Sequence, residues 1–481
     1  MRTTVLEINR ATNHGETGDR SVRLLTVSVL LSLTITICAR AQTSQTLFSP
    51  NQGSVPSGPA TKEVQHLTLR GAINMAVRYN LGVIESGENA RAARGQRLHA
   101  LSNLLPQLTA GATENVEQAT RASLGIRSSL VPFVLGPFAF STAQASLSQT
   151  LFSFESIQRF RAARTAEQAA LLTYNDTLDV ITLTVGNAYL QVIETSSRIV
   201  AQEAQVQNAQ ALYNQALDAF QAGTSAKIDV TRAAVQLHTE QYNLSVARNN
   251  FAIAKLNLSR AIGLPLGQAF DVADPLPYAD INPQSVEEAL RAAYSSRSDF
   301  RAALSSLKSA QQQLSAVRAE RYPVLAVNGD YGAQGATFAQ SHGIFSFQAG
   351  VNFPVFTSGR IKGDLTQAEA ALRQRKAEAE NLRGQIDYDV RTAFLNLQAA
   401  REQVAVARQN VDLANENLSR SRERFASGVT DSVEVVQAEQ SLASANDQYI
   451  TGLYSHNLAK LQLARALGVA RTSYNLYLAG R

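Results

Sequence analysis

The chain has 481 residues and a formal net charge of +5, with 44 lysines and arginines against 39 acidic residues. Its basic residues are scattered singly along helix-forming stretches, which excludes the clustered footprint of a nucleic-acid binder. A single cysteine, Cys38, excludes a disulfide framework.

Arg20 and Arg23 precede an apolar run from Leu24 to Cys38 that is too short to span a bilayer, and Ala39-Arg40-Ala41 follows as an A-x-A cleavage site. Residues 1–41 therefore read as a signal peptide. Ile37 fits a lipoprotein processing site poorly, which leaves acylation of Cys38 as the alternative. The leader carries five Lys/Arg and three Asp/Glu, so its removal takes the net charge from +5 to +3 and leaves no thiol. Residues 42–66, rich in Ser, Thr, Gln, Pro and Gly, read as a flexible tail.

The first half, residues 67–264, opens with a helix from about Leu69 to Leu104 and continues with a β-hairpin at about 106–152. In the hairpin Ala143, Ala145, Leu147 and Leu151 alternate with Thr142, Gln144, Ser146, Ser148 and Thr150. A proline-free helix of roughly 65 residues, from about Ser156 to Phe220, would be about 100 Å long. No ordinary globule holds such a helix. A glycine turn at 220–224, with Phe220 and Gly223, precedes a returning helix from about Lys227 to Ile262. Pro265, Pro275, Pro277 and Pro283 mark a linker over 265–284.

The second half, residues 285–470, repeats the order. A helix from about Val286 to Arg321 leads into a hairpin at about 323–356. There Phe345, Phe347, Ala349, Val351, Phe353 and Val355 face one way and Ser346, Gln348, Gly350, Asn352 and Pro354 the other. A second long helix runs from about Arg360 to Phe425, with Leu382, Ile386, Val390, Phe394 and Leu397 drawing an apolar stripe. The turn 425–429, with Phe425 and Gly428, a helix from about Ser432 to Leu467 and a tail over 471–481 complete the chain. Residues 185–263 align with 390–468 at one constant offset, since 390 − 185 and 468 − 263 are both 205. Phe220-Gln-Ala-Gly223 thus meets Phe425-Ala-Ser-Gly428.

Strands of about ten residues with an apolar outer and a small polar inner face suit a membrane barrel, yet four are too few to close one. Closure must come from several chains. In this order of parts, and in the stretch from Phe425 through Val433-Glu434-Val435-Val436-Gln437-Ala438 to Leu463-Ala-Arg465-Ala-Leu467-Gly468, the chain resembles the TolC family of outer-membrane efflux proteins. The resemblance covers about residues 67–470. It implies an α plus transmembrane β fold: an internally duplicated chain whose helices form a periplasmic α-helical barrel, continuous with a trimeric 12-stranded β-barrel of four strands per chain.

The resemblance also implies partners and a task. The partners are two sister copies in a homotrimer, outer-membrane lipid, a periplasmic adaptor and, through it, an inner-membrane transporter. The task is passive, gated export across the periplasm and outer membrane, for efflux or type I secretion. The turns with Phe220, Gly223, Phe425 and Gly428 would dock the adaptor, and Phe345, Phe347, Val351 and Phe353 would face lipid. Glu434 matches an acid of the family's entrance ring, and Asp229 holds the equivalent repeat position. Both acids also suit the first turn of a helix on dipole grounds alone. Phe425 and Thr430 replace a tyrosine and an arginine of the family gate, and Gln437 replaces a second ring acid. Arg422, Glu423 and Arg424 are then candidates for the latch.

No catalytic, metal or cofactor site is expected. The six histidines show no ligand spacing, there is no phosphate-binding loop, and Ser305-Ser-Leu-Lys308 is a mid-helix match without companion motifs. A periplasmic adaptor or a coiled-coil scaffold is the alternative, and neither accounts for period-two alternation from Phe345 to Val355. The apolar loop Leu130–Phe138 reads as a lid or an outer-leaflet contact.

Overall fold

The structure, a computed structural model, describes residues 53–481 apart from 129, 273–277, 282–284, 431, 480 and 481. All of these belong to one compact unit, Pro50–Arg481. The expected signal peptide with Cys38 lies outside the described residues, as do Pro275, Pro277 and Pro283 of the linker.

The first half contains β1 (Gln65–Leu67), α1 (Leu69–Tyr79), α2 (Leu81–Ser102), β2 (Gln107–Thr120), β3 (Val134–Phe152), α3 (Phe154–Gln221), α4 (Lys227–Ile262) and β4 (Phe270–Val272). The second contains α5 (Val286–Ser296), α6 (Ser298–Ala319), β5 (Val324–Gly335), β6 (Ser341–Asn352), α7 (Arg360–Ala426), α8 (Ser432–Ala466) and α9 (Ala470–Ala479). The 68 residues of α3 and the 67 of α7 each rise about 100 Å. Each long helix carries two shorter ones along its length, α2 and α4 on α3, α6 and α8 on α7. α6 also lies against α3, and α8 touches α3, which joins the halves side by side.

Local chemistry sets the ends. Ser153 caps α3 by accepting a hydrogen bond from Ser156 N at 3.1 Å. Ser285 and Glu288 form a reciprocal capping box on α5. The opening helix of each half, expected as one piece, is broken in two. Asn80 leaves the helical backbone and its side chain caps α2 through Gly82 N at 2.9 Å; Arg297 makes the same extended break between α5 and α6. A glycine at the end of the returning helix abuts each break. A Cβ on Gly263 would lie 2.4 Å from Tyr79 Cβ, and one on Gly468 would lie 2.8 Å from the backbone of Arg297.

Around the Arg297 break runs a half-buried charge network. Arg297 pairs with Asp299 at 2.6 Å and Asp389 at 2.9 Å, while Arg465 pairs with Asp176 at 2.6 Å. Burial pushes the Asp176 carboxyl up despite Arg465, whereas Arg297 overcomes the burial of Asp299 and holds it low. The largest apolar cluster sits at the same level, with Ile181, Val185, Tyr189, Leu258, Phe270 and Leu461.

Three expectations are corrected. From Gly53 on, the supposed tail is fixed: Val55 N donates to Tyr79 O at 2.8 Å, Ser57 N donates to Gly263 O at 2.8 Å, and β1 pairs in parallel with β4. Main-chain bonds hold it where apolar side chains are few. The C-terminal tail, expected by resemblance to join the linker in a belt around the middle of the tube, is a helix, α9, with Tyr474 buried and Arg471 N donating to Asp179. Much of the expected apolar loop 130–138 is strand, since Val134 and Leu135 pair with Thr120 and Ala119. Gly136 and Pro137 fall in a bulge there, where proline's missing N–H removes no ladder bond.

Gly468→Ala should destabilise the chain by more than about 2 kcal/mol, through its φ of +71° and its contact with Arg297. Gly95→Ala, in an open helical position, should instead gain up to about 1 kcal/mol. Thermal unfolding of the detergent-solubilised protein measures both.

Candidate functional site

The two interhelical turns are copies in atomic detail. After α3, Gly223 N donates to Phe220 O and Thr224 N to Ala219 O; after α7, Gly428 N donates to Phe425 O and Val429 N to Arg424 O. Gly223 and Gly428 hold φ of +74° and +69°, a left-handed conformation that glycine adopts without strain. Each turn releases its chain into a returning helix with an acid in the first turn, Asp229 or Glu434.

The acids are held differently. Glu434 accepts from Thr430 Oγ1 at 2.6 Å and Ser421 Oγ at 3.3 Å, and Arg424 Nε lies 3.3 Å away. Asp229 accepts from Ser225 Oγ at 3.0 Å and from Ser432 Oγ, on the other hairpin, at 2.8 Å. Ser432 is fully buried. This bond ties the two turn ends together, and beneath it Leu212, Ala216 and Ala233 meet Leu418, Val435 and Leu442. Phe425 packs onto that cluster, while Phe220 is exposed.

Of the three latch candidates, Arg424 reaches Glu434 and Arg422 reaches Glu439 at 3.0 Å. Glu423 supplies its main-chain carbonyl to Ser427. Sequence reasoning missed Ser432, Glu439 and Glu240. Ser432 carries no family signature. Glu439 is only 2% exposed and Glu240 7%, in helices that carry many other polar residues, so neither stands out by residue type.

At the opposite end, β2-β3-β5-β6 form one antiparallel sheet. Its register aligns Leu108, Leu147, Gly329 and Phe347 across the four strands, and Ala110, Ala145, Tyr331 and Phe345 two residues along. The opposite face aligns Thr109, Ser146, Asp330 and Ser346, with Ser346 Oγ donating to Asp330 at 2.7 Å. In these central rows one face is thus apolar and the other polar. Phe345, Phe347 and Val351 are exposed on the apolar face. Phe353, expected in the same strand, lies past its end at Asn352, because Pro354 cannot donate to a ladder.

Among the described residues no helix is long and apolar enough to cross a membrane, and no group of three or more His, Cys, Asp or Glu could hold a metal ion. A groove of about 1100 Å³ lies between the two hairpins and is lined by Gln202, Gln236, Glu240, Glu402, Gln440 and Asp447, among others.

The profile of the family described as "Outer membrane efflux protein" matches residues 87–264 and 289–469. The toluene efflux pump outer membrane protein TtgF of Pseudomonas putida is 23% identical, over 92% of this chain and 96% of that protein. Outer membrane protein TolC of Escherichia coli is 24% identical, over 77% of this chain and 76% of its own length. The crystal structure of VceC from Vibrio cholerae shares the fold, with a TM-score of 0.73 at 19% identity, covering 84% of this chain and 96% of that one.

Asp229→Ala and Ser432→Ala should each loosen the turn ends. Losing the partner of a buried hydroxyl costs about 1–3 kcal/mol. Hydrogen exchange of the amides in 222–232 reads the effect, and the double variant should exchange no faster than Asp229→Ala alone.

Proposed function

We propose a gated export duct as the working form of this chain, which belongs to the outer membrane efflux protein family. Membership makes it an outer-membrane channel of efflux systems that extends into the periplasm. The finer reading is a homotrimer in which three four-stranded sheets join through β2 and β6 into one 12-stranded barrel. Its twelve helical columns, four per chain counting stacked short helices as one, form the periplasmic tube.

The two-faced sheet carries this reading. Its register puts Phe345, Phe347 and Tyr331 on one side and Ser346, Asp330 and Ser146 on the other, over strands of 12 residues in β5 and β6. At about 3.3 Å per residue they suffice to cross a tilted membrane path. Strands β2 and β6 are the sheet's two edges and need partners in lipid, where unpaired backbone is costly. Neighbouring copies supply them. A lysine at Phe347 or Val351 would sit in lipid, at about 2–4 kcal/mol per midplane charge.

In this assembly the turns with Phe220, Gly223, Phe425 and Gly428 point into the periplasm. There they meet an adaptor, which connects them to an inner-membrane transporter. Energy and choice of cargo belong to that pump, and the chain acts as a conduit rather than a catalyst. Asp229 and Glu434, with Phe425 and Thr430, form the entrance gate. Three copies of Glu434 around one axis would favour cations. Thr430 serves here by bonding Glu434 within its own chain, a shorter reach than the arginine of the family pattern.

Two measurements test the reading. Phe347→Lys with Val351→Lys should abolish outer-membrane assembly while leaving the helical content unchanged; normal assembly would refute the barrel. Glu434→Ala should raise conductance and weaken cation preference in planar bilayers, and an unchanged trace removes Glu434 from the gate.

A further inference from the structure

Asp229 and Ser432 meet where the first hairpin, α3 with α4, lies against the second, α7 with α8. Side by side the helices run α4, α3, α8, α7, because α3 packs on α8 while α4 and α7 take the outer flanks. In a ring of alternating hairpins each second hairpin meets the first hairpin of the next copy, and there α7 meets α4. The 205-residue offset says which residues meet. Between copies, the second hairpin uses the counterparts of the residues that the first hairpin uses within the chain, and the first uses the counterparts of the second.

Burial agrees with this exchange. Leu190 of α3 and Leu461 of α8, each 1% exposed, belong to one apolar cluster. Their repeat counterparts, Leu395 of α7 and Leu256 of α4, are 67% and 47% exposed. The same residue at the same repeat position is covered where the chain supplies a neighbour and bare on the outer flanks. The hydrogen bond that Tyr454 donates to Asn187 at 2.6 Å maps likewise onto Asn249 of α4 and Thr392 of α7, two side chains able to bond each other.

At the turn end the exchange changes the chemistry. Asp229 becomes Glu434 and Ser432 becomes Lys227, since 434 − 229 and 432 − 227 are both 205. Ser432 and Lys227 each open a returning helix. Lys227 is exposed, and among the described residues it makes no ion pair. Glu434 is half-buried under Thr430, Ser421 and Arg424 and, as a carboxylate, has acceptor capacity for one more donor.

We infer that Glu434 of each copy pairs with Lys227 of the next, the contact between copies that corresponds to Asp229 with Ser432 within the chain. The inference rests on the trimeric duct reading and adds Lys227 to its gate. Six seams then alternate around the turn end, three closed by a serine hydrogen bond within a chain and three by an ion pair between chains. The two kinds answer differently to salt. A surface ion pair weakens as the Debye length falls from about 10 Å at 0.1 M to about 3 Å at 1 M, whereas a buried hydrogen bond is screened much less. Rising ionic strength therefore loosens the seams between copies first.

Cross-linking of the full-length protein tests the pairing. Lys227→Cys with Glu434→Cys, made with Cys38→Ser so that no other thiol is present, should give covalent trimers with a short bismaleimide, and Lys227→Cys without Glu434→Cys should give monomers. In planar bilayers Lys227→Gln should open about threefold more often than wild type at low salt and no more often at about 1 M. Its cation preference should rise, the opposite sign to Glu434→Ala, because the ring of acids loses its lysines. Assembled trimers, by light scattering in detergent, that yield only monomers on cross-linking would overturn the pairing and leave the duct standing. An excess of opening that is equal at both salt levels would overturn the ion pair. A monomeric wild type would overturn the assembly itself.

Discussion

Everything in the helical part depends on how closely neighbouring helices can lie over a length of about 100 Å. The seam between α7 and α8 answers this with a heptad rhythm. On α7 the buried positions run Ile386, Val390, Ala393, Leu397, Ala400, Val404 and Ala407, at alternating steps of four and three. On α8 a small residue recurs every seventh place, Ala438, Ala445, Gly452, Ala459 and Ala466, all buried. Gly452 faces Val404 so closely that a Cβ would come within 3.4 Å of its side chain. The 3.5-residue period imposes a left-handed coil, and the small residues keep the axes close. A wall one helix thick has no deep core to draw on, so its stability is spread along these seams.

Because the seams are shallow, polar groups trapped in them matter more than in a globule. At mid-height Arg297, Asp299, Asp389, Arg465 and Asp176 tie α3, α6, α7 and α8 into one layer. A buried charge without its partner is strongly unfavourable, so this layer resists relative sliding of the helices. Nearer the turns the contacts thin to Asp229 with Ser432 and the small cluster around Leu212 and Val435. The same chain is therefore stiff at its middle and separable at its end.

How much of this was legible from residues alone depended on whether proline, glycine and periodicity carried the information. Absence of proline outlined α3 and α7 to within about two residues, and the constant offset placed both turns. Period-two alternation revealed both hairpins, and the register shows each apolar face continued on its neighbours. The breaks at Asn80 and Arg297 were invisible, since asparagine and arginine interrupt a helix only where packing requires it. Here Gly263 and Gly468 press against them from elsewhere in the chain. The inter-hairpin partner of Asp229 was equally hidden, because the bond joins residues that only the packing of the four helices brings together. Ser432 lies 203 positions from Asp229.

The stiff middle layer also acts as a fulcrum. From Asp176, where α3 is anchored to Arg465, to its last residue Gln221 lie 45 residues, a lever arm of about 68 Å at 1.5 Å per residue. A tilt of about 5° at the fulcrum carries the end of that arm roughly 6 Å sideways, more than half the spacing between packed helices. Backbone hydrogen bonds along the arm need not break for such a swing. The length of α3 thus converts a small rotation at the fulcrum into a large displacement at the turn end.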